Sequence, residues 1–402
     1  ASRSAAATGS GTSSVTSPQT IVDANAVGGG PINTGPTTQS QVAVGGNATG
    51  GSATITSFGQ LNTGTTFINA SASGGAANSN FNTGGDALGG NARLAVLGGT
   101  ATLGQLTLSG AALAGGGIET LPADDVGGAA TGGTASIEVT GATATIADRV
   151  TIDVQANTTA GSADVTRARR GGNVSVVANG GGSLSFANSF TVNATGGFDS
   201  SGGADAQISE DAAGGSIFIT ANGGTINLAG INLEADGLTS NASVATGAGT
   251  GGTISLTATA GGTLSVGGSF NSISAIGFAG AGPVGGAGAG GQVLISANGG
   301  ALTLGNFTSI DVGGTSGTSD TATPPVAGQG GGRRRHRRDH QFQHRWRHRD
   351  GRQSYPVGPG IWWQRRQWPR RRWQWRGDQF CAVGRQRHAD QRQLLGRWDR
   401  RH

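Results

Sequence analysis

The sequence predicts an all-β chain, a parallel β-solenoid (β-helix) built from ~40-residue repeats and followed by a disordered basic tail. Three observations carry this. Paired glycines that open an alternating strand recur at Gly50, Gly89, Gly132, Gly171, Gly214, Gly251 and Gly290, at separations of 39, 43, 39, 43, 37 and 39 residues. Each pair is followed by strict alternation, as in Ile217, Ile219 and Ala221, with Ser or Thr on the other face. Glycine and β-branched residues dominate the first 332 positions and no 3.6-residue stripe persists, which disfavours helix.

Taken in order, residues 1–49 are a Ser/Thr/Gly-rich lead-in with weak strands, read as a partial repeat. Residues 50–332 are the solenoid repeats, clearest at 214–236, 251–275 and 290–312. Each unit opens with an alternating strand and turns at an Asn-Gly-Gly corner in several copies (Asn179–Gly181, Asn222–Gly224, Asn298–Gly300). Asn and Gly accept positive φ there at little steric cost. A four-residue strand, a two-residue break, a third alternating strand and a small-residue excursion complete the unit. Three strands and three corners describe one solenoid coil plus an excursion, two coils of about 20 residues being the alternative. A β-sandwich also has many short strands, but it has no reason to repeat a strand triplet at this period. The solenoid requires Ile217, Ile254 and Val293 to stack in one inward ladder.

Composition excludes several function classes. The chain has no Lys, no Met and a single Cys, so it is neither a disulfide scaffold, a cysteine-built metal site nor a P-loop nucleotide binder. Its longest apolar runs are too short to cross a bilayer as a helix. Without an initiator Met or a charged-then-apolar leader, it reads as an internal fragment or a processed chain.

The units quoted above resemble the glycine-rich repeats of filamentous-haemagglutinin-type exoproteins and autotransporter-type adhesins of Gram-negative bacteria, over about residues 50–332. The resemblance implies a right-handed β-helical shaft, secreted or held at the cell surface or outer membrane. It implies a non-catalytic structural or adhesive role. The partners it implies are an outer-membrane transporter during export and surface glycans or other cells, with no nucleic acid and no transmembrane segment. Neither an amino-terminal secretion domain nor a membrane-barrel pattern is found in the sequence.

The competing function is a polysaccharide lyase or hydrolase, since solenoids can gather carboxylates and a basic residue on one long face. The candidates are Asp124 with Asp125, Glu210 with Asp211, and the Arg167, Arg169, Arg170 cluster. All lie in Gly-rich excursions, where solvated charge is the default, and no aromatic platform lies nearby. No catalytic, cofactor or metal residue is therefore assigned. The GxGxxG matches at Gly247, Gly249, Gly252 and at Gly286, Gly288, Gly291 precede strands, whereas a pyrophosphate site needs a helix N-terminus. Gly84-Gly85-Asp86 is a lone fragment of a calcium-repeat motif. The threonine arrays Thr54–Thr56, Thr100–Thr102 and Thr143–Thr145 resemble ice-binding faces but lack one fixed position in every unit, and read as solvated strand faces.

Charge divides the chain sharply. Residues 1–332 hold six Arg against 17 acidic residues; residues 333–402 hold 21 Arg against five, together with every His and Trp, the Tyr and the Cys. At face value, Arg345, Arg347, Arg365 and Arg366 with interleaved Trp suggest a nucleic-acid or anionic-lipid surface. The reading preferred here is genetic. Trp has only the codon TGG, which a one-base shift turns into GGN, glycine; Arg written CGG behaves alike. With such codons Arg333 onward decodes as GGGTGGITNSSIGGGTG and Arg371 onward as GGGSGGAINSAL, the style of the repeats. Residues 333–402 are thus expected to be a frameshifted, unstructured continuation of the repeat.

Overall fold

The computed structural model describes residues 2–7, 13–30, 43–76, 82–116, 126–158, 165–197, 208–268, 271–306, 308–317 and 380–382. All of these belong to one of two compact units, Ala1–Asp320 with Asp378–His402. The other unit, Thr321–Gly377, lies outside the described residues, as does the expected basic tail apart from Phe380–Ala382.

The described elements are all β, and the strand that follows each glycine pair builds the first wall. Ser52–Ser57, Asn91–Val96, Thr134–Thr140, Asn173–Asn179, Ser216–Asn222, Thr253–Thr259 and Gln292–Asn298 pair parallel and in register. Ser2–Ala7 extends the same sheet ahead of residue 52, and Phe380–Ala382 adds antiparallel to Val293–Ile295. Alternation explains the burial. Ala92, Ala135, Val174, Ile217, Ile254 and Val293 form one inward ladder, each at most 1% exposed, so the three residues singled out from sequence do share a face. Leu94, Ile137, Val176, Ile219 and Leu256 form a second, fully buried ladder beside it. Because consecutive units supply neighbouring strands of one sheet, each unit is a single coil.

Corners between first and second walls use left-handed backbone. Gly180 and Gly181 have φ of 52° and 77°, and Gly223 and Gly299 have 64° and 66°. Ala260 occupies the same kind of corner with φ 52°, the one described non-glycine residue with positive φ.

The second wall keeps the expected strand–break–strand pattern in some coils and runs through the break in others. Gln60–Asn69, Thr100–Ser109, Ser183–Asn193 and Thr225–Glu234 are continuous strands, whereas Thr143–Ile146 and Val150–Asp153, Thr263–Val266 and Asn271–Ser274, and Ala301–Thr303 and Thr308–Asp311 stay separate. The break shifts the inward phase without ending the ladder: Leu103 and Leu106, or Leu228 and Ile231, all face the core. In the coil of Ser183–Asn193, Phe186 and Phe190 stack across the break with centroids 4.9 Å apart.

The described parts of the Gly-rich excursions form a flattened extension of the coil, and in the coils up to Gly133 its two arms meet with little more than alanine between them. At its base the second glycine of each pair donates across the coil to the opposite arm: Gly90 N to Ala70 O, Gly133 N to Gly110 O, Gly172 N to Val154 O, Gly215 N to Ala194 O and Gly252 N to Ala235 O, at 2.6–2.8 Å. Farther out comes an alanine layer of Ala48, Ala72, Ala87, Ala112, Ala130 and Ala156. Beyond it glycines zigzag between the arms, from Gly46 N to Gly29 O, Gly75 N to Gly46 O, Gly85 N to Gly75 O, Gly115 N to Gly85 O and Gly128 N to Gly115 O. No side chain larger than hydrogen fits these approaches.

Two stability predictions follow from this geometry. A Cβ at Gly252 would overlap the Gly215 carbonyl oxygen, whereas one at Gly230 meets nothing nearer than 3.8 Å. Gly252→Ala should therefore cost about 3 kcal/mol or more, and Gly230→Ala under about 0.5 kcal/mol; equal urea midpoints for the two would contradict the arrangement. Ala260→Gly relieves a left-handed L-residue and should stabilise by about 1 kcal/mol; an unchanged or lower melting temperature would count against a strained corner.

Candidate functional site

The stack brings together two of the three charged clusters expected from sequence. The segment Arg167–Arg170 lies directly beside Glu210–Ala213 of the next coil, with Arg169 paired to Ala212 and Arg170 to Ala213. Asp124 and Asp125 lie outside the described residues.

Adjacency does not make the carboxylates converge. Glu210 Oε2 accepts from Ala168 N of the preceding coil at 3.0 Å, while Asp211 Oδ1 accepts from Ala248 N of the following coil at 2.7 Å. Both acids are exposed, and each satisfies a backbone N–H next to the short strands of the extension arm. The same device recurs where Asn47 Oδ1 accepts from Asp86 N and Asp86 Oδ1 from Ala129 N, each at 2.8 Å. Each bond ties one coil to the next, so these side chains act as clasps between coils.

Arg169 corrects the expectation of solvated charge. It is fully buried, whereas Arg170 is exposed and Arg167 half-buried. The reason is positional. Two residues before each glycine pair the chain points into the alanine layer, and Ala48, Ala87, Ala130 and Ala212 fill that place in other coils. Arg169 takes it instead and extends to Ser209 Oγ at 3.2 Å and Ser240 Oγ at 3.5 Å. The sequence signal that locates it is its offset from Gly171, the first glycine of its pair.

The remaining motifs are absorbed by the stack. Gly247, Gly249 and Gly252 lie among short strands, as do Gly286, Gly288 and Gly291. Asp86, of the calcium-like fragment, is one of the clasps, and among the described residues no three His, Cys, Asp or Glu side chains cluster to hold a metal ion. Thr100 and Thr102 do stack on Thr143 and Thr145, and these on Ser183 and Ser185, forming a short hydroxyl column that sequence reading did not recognise. Thr54 lies on the first wall, paired with Arg93. Arg93 bonds Glu138 at 2.6 Å, a part-exposed ion pair of small energetic weight.

Where the second wall passes into the extension, the outer surface is concave. A groove of about 330 Å³ lies there, lined by Asn25, Ser71, Leu113, Gln155 and Asn157 among others, none of them charged. Beside it a polar column follows the axis: Asp23, Asn69, Ser109, Asp153, Asn193, Glu234, Ser274 and Asp311 occupy one register position. Burial pushes the Asp153 carboxyl above its ordinary range, opposed by hydrogen bonds from Gln155. Asp236, two residues past this column, is raised chiefly by burial and also by the charges of Glu234 and Asp311, while Ser274 Oγ (2.7 Å) and Ile276 N (2.8 Å) donate to it and pull the other way. Comparison of the chain with family models, with curated proteins and with solved structures found no match.

A raised carboxyl holds its proton more tightly when folded. Its contribution is most favourable below the ordinary value of 3.8 and is lost as pH rises through the raised one. Asp236→Asn keeps an oxygen acceptor for both donors and removes the charge. It should raise the melting temperature near pH ~7 and leave it unchanged near pH ~3; a fall at neutral pH would show that the charge itself stabilises the bend.

Proposed function

We propose that the chain is a non-catalytic structural and adhesive shaft of an exported bacterial surface exoprotein. The β-solenoid fold is consistent with a structural shaft, and the observation that carries the reading is how the charged residues are used. Glu210, Asp211 and Asp86 accept backbone N–H groups between coils, a task that serves stacking. The repeat style of residues 214–312, similar to that of haemagglutinin-type exoproteins, supplies the surface location and the expected partners, an outer-membrane transporter during export and then glycans or other cells.

The test uses the native producing cell. Protease added to intact cells should release fragments of the repeats, and an in-frame deletion of residues 214–289 should reduce attachment to cells or glycan-coated surfaces while the shortened chain still reaches the surface. Protection from protease on intact cells would overturn the surface location. Release of reducing or unsaturated sugar ends from polysaccharide by the purified chain, lost in Glu210→Gln or Asp211→Asn, would replace the shaft by a lyase or hydrolase.

A further inference from the structure

The last coil exposes the core of the stack. Ile295, Leu302, Leu304, Ile310 and Val312 pack against that core yet remain part-exposed. Leu256, Leu264 and Ile273, stacked beneath three of them, are at most 1% exposed. Among the described residues, Ala301–Thr303, Thr308–Asp311 and Gly314–Thr315 are hydrogen-bonded on one side only. Phe380–Ala382 covers three residues of the first wall and leaves those strands open. A parallel edge of this kind is a template for another strand, and repeat arrays close such ends with a further or capping unit.

We infer that this end is the docking face for another coil of the same repeat, and that the occupant is written in the shifted reading frame of residues 333–402. The inference rests on the frameshift reading of the tail and is independent of any adhesive role. What supports it is phase. In four coils a glycine pair stands five residues before the strand-opening pair: 45–46 before 50–51, 84–85 before 89–90, 127–128 before 132–133 and 285–286 before 290–291. The structure shows why, since Gly46, Gly85 and Gly128 make the outer contacts between the arms and a Cβ on any of Gly45, Gly84, Gly128 or Gly286 would overlap a carbonyl of the facing arm or the adjoining coil.

The shifted reading keeps this spacing without adjustment. Gly332 is glycine as the chain stands, and Arg333 decodes as its partner; five residues on, Arg337 and Arg338 decode as the strand-opening pair. Arg335, two before that pair, decodes as glycine at the position that Ala48, Ala87, Ala130 and Ala212 hold in the folded coils and that Arg169 takes in one of them. The first shifted strand-opening pair follows Gly290 by 47 residues, four more than the longest folded coil, and the pattern then repeats 38 residues later, within the period of the folded coils. Arg370 and Arg371 give the outer pair, and Trp375 with Arg376 the strand-opening pair. Trp373 falls at the alanine-layer position, and both it and Trp375 become glycine whatever the neighbouring codons are. A tail selected for its own Arg and Trp has no reason to keep the five-residue spacing of glycine pairs, twice, in a frame it does not use.

The nucleotide sequence across the codon of Arg333 decides first. We expect a base gained or lost by that codon, and a shifted frame open to codon 402 with CGG or AGG, the two arginine codons that shift to glycine, at Arg337, Arg338, Arg370 and Arg371. A stop in that frame, any of the other four arginine codons at those positions, or confirmation of the frame as it stands overturns the inference. The protein test compares the full 402-residue chain with the frame-corrected chain by hydrogen exchange. Backbone amides of residues 301–311 should exchange at least roughly tenfold more slowly in the corrected chain. Equal exchange overturns the inference. So does slow exchange in the uncorrected chain that appears only as it dimerises, since the occupant would then be a second copy. A corrected chain that does not fold leaves the nucleotide reading as the deciding result.

Discussion

Every coil depends on the backbone hydrogen bond that crosses from the second glycine of each pair to the carbonyl of the opposite arm. At 2.6–2.8 Å this bond holds two strands of the same coil face to face, where a solenoid ordinarily keeps a layer of side chains between its walls. It forms only if the first glycine of the preceding pair brings no Cβ into the gap, where it would overlap the same carbonyl, and that requirement propagates. The base of the extension is glycine against a backbone carbonyl, the next layer is alanine against alanine, and the outermost is glycine against glycine. The high glycine content is thus a steric condition for closing the coil and has little to do with flexibility. Glycine carries a large entropy cost on ordering, and the crossed hydrogen bonds offset it by satisfying amides that point into the coil, away from the ladder.

On the other side of that pinch the coil is an ordinary hydrophobic solenoid. Branched aliphatic ladders fill the space between first and second walls, and identical positions stack from coil to coil, so each coil buries the apolar face of its neighbour. The two halves divide the work. The aliphatic half supplies the apolar burial, while the glycine half closes the cross-section. Polar side chains are then left for the joints between coils, where Asn47, Asp86, Asp211 and Asp236 accept N–H groups at bends. Their recurrence explains why acids in this chain gather near one another without forming a converging site.

The candidate site was less legible than the fold. Glu210, Asp211 and the arginine cluster were identifiable as the charged residues of the excursions, and the register does set them in adjacent coils. What alternation and charge counting could not convey was the direction of each side chain. Glu210 reaches to the preceding coil and Asp211 to the following one. Arg169 was misjudged because the excursions looked like loops, in which an arginine would be solvated. They are strands with an inside, and Arg169 has the inward place.

The sequence by itself determined the coil: its period, its parallel stacking and the ladder through Ile217, Ile254 and Val293. Those follow from glycine spacing and two-residue alternation, which are local properties repeated along the chain. Tertiary structure alone decided what the excursions are. Whether a Gly/Ala-rich segment loops into solvent or folds flat against its counterpart depends on the facing arm, 20 or so residues away, being equally free of side chains. That complementarity exists only once the two arms are opposed, and with it come the crossed hydrogen bonds, the buried Arg169 and the clasping role of the acids.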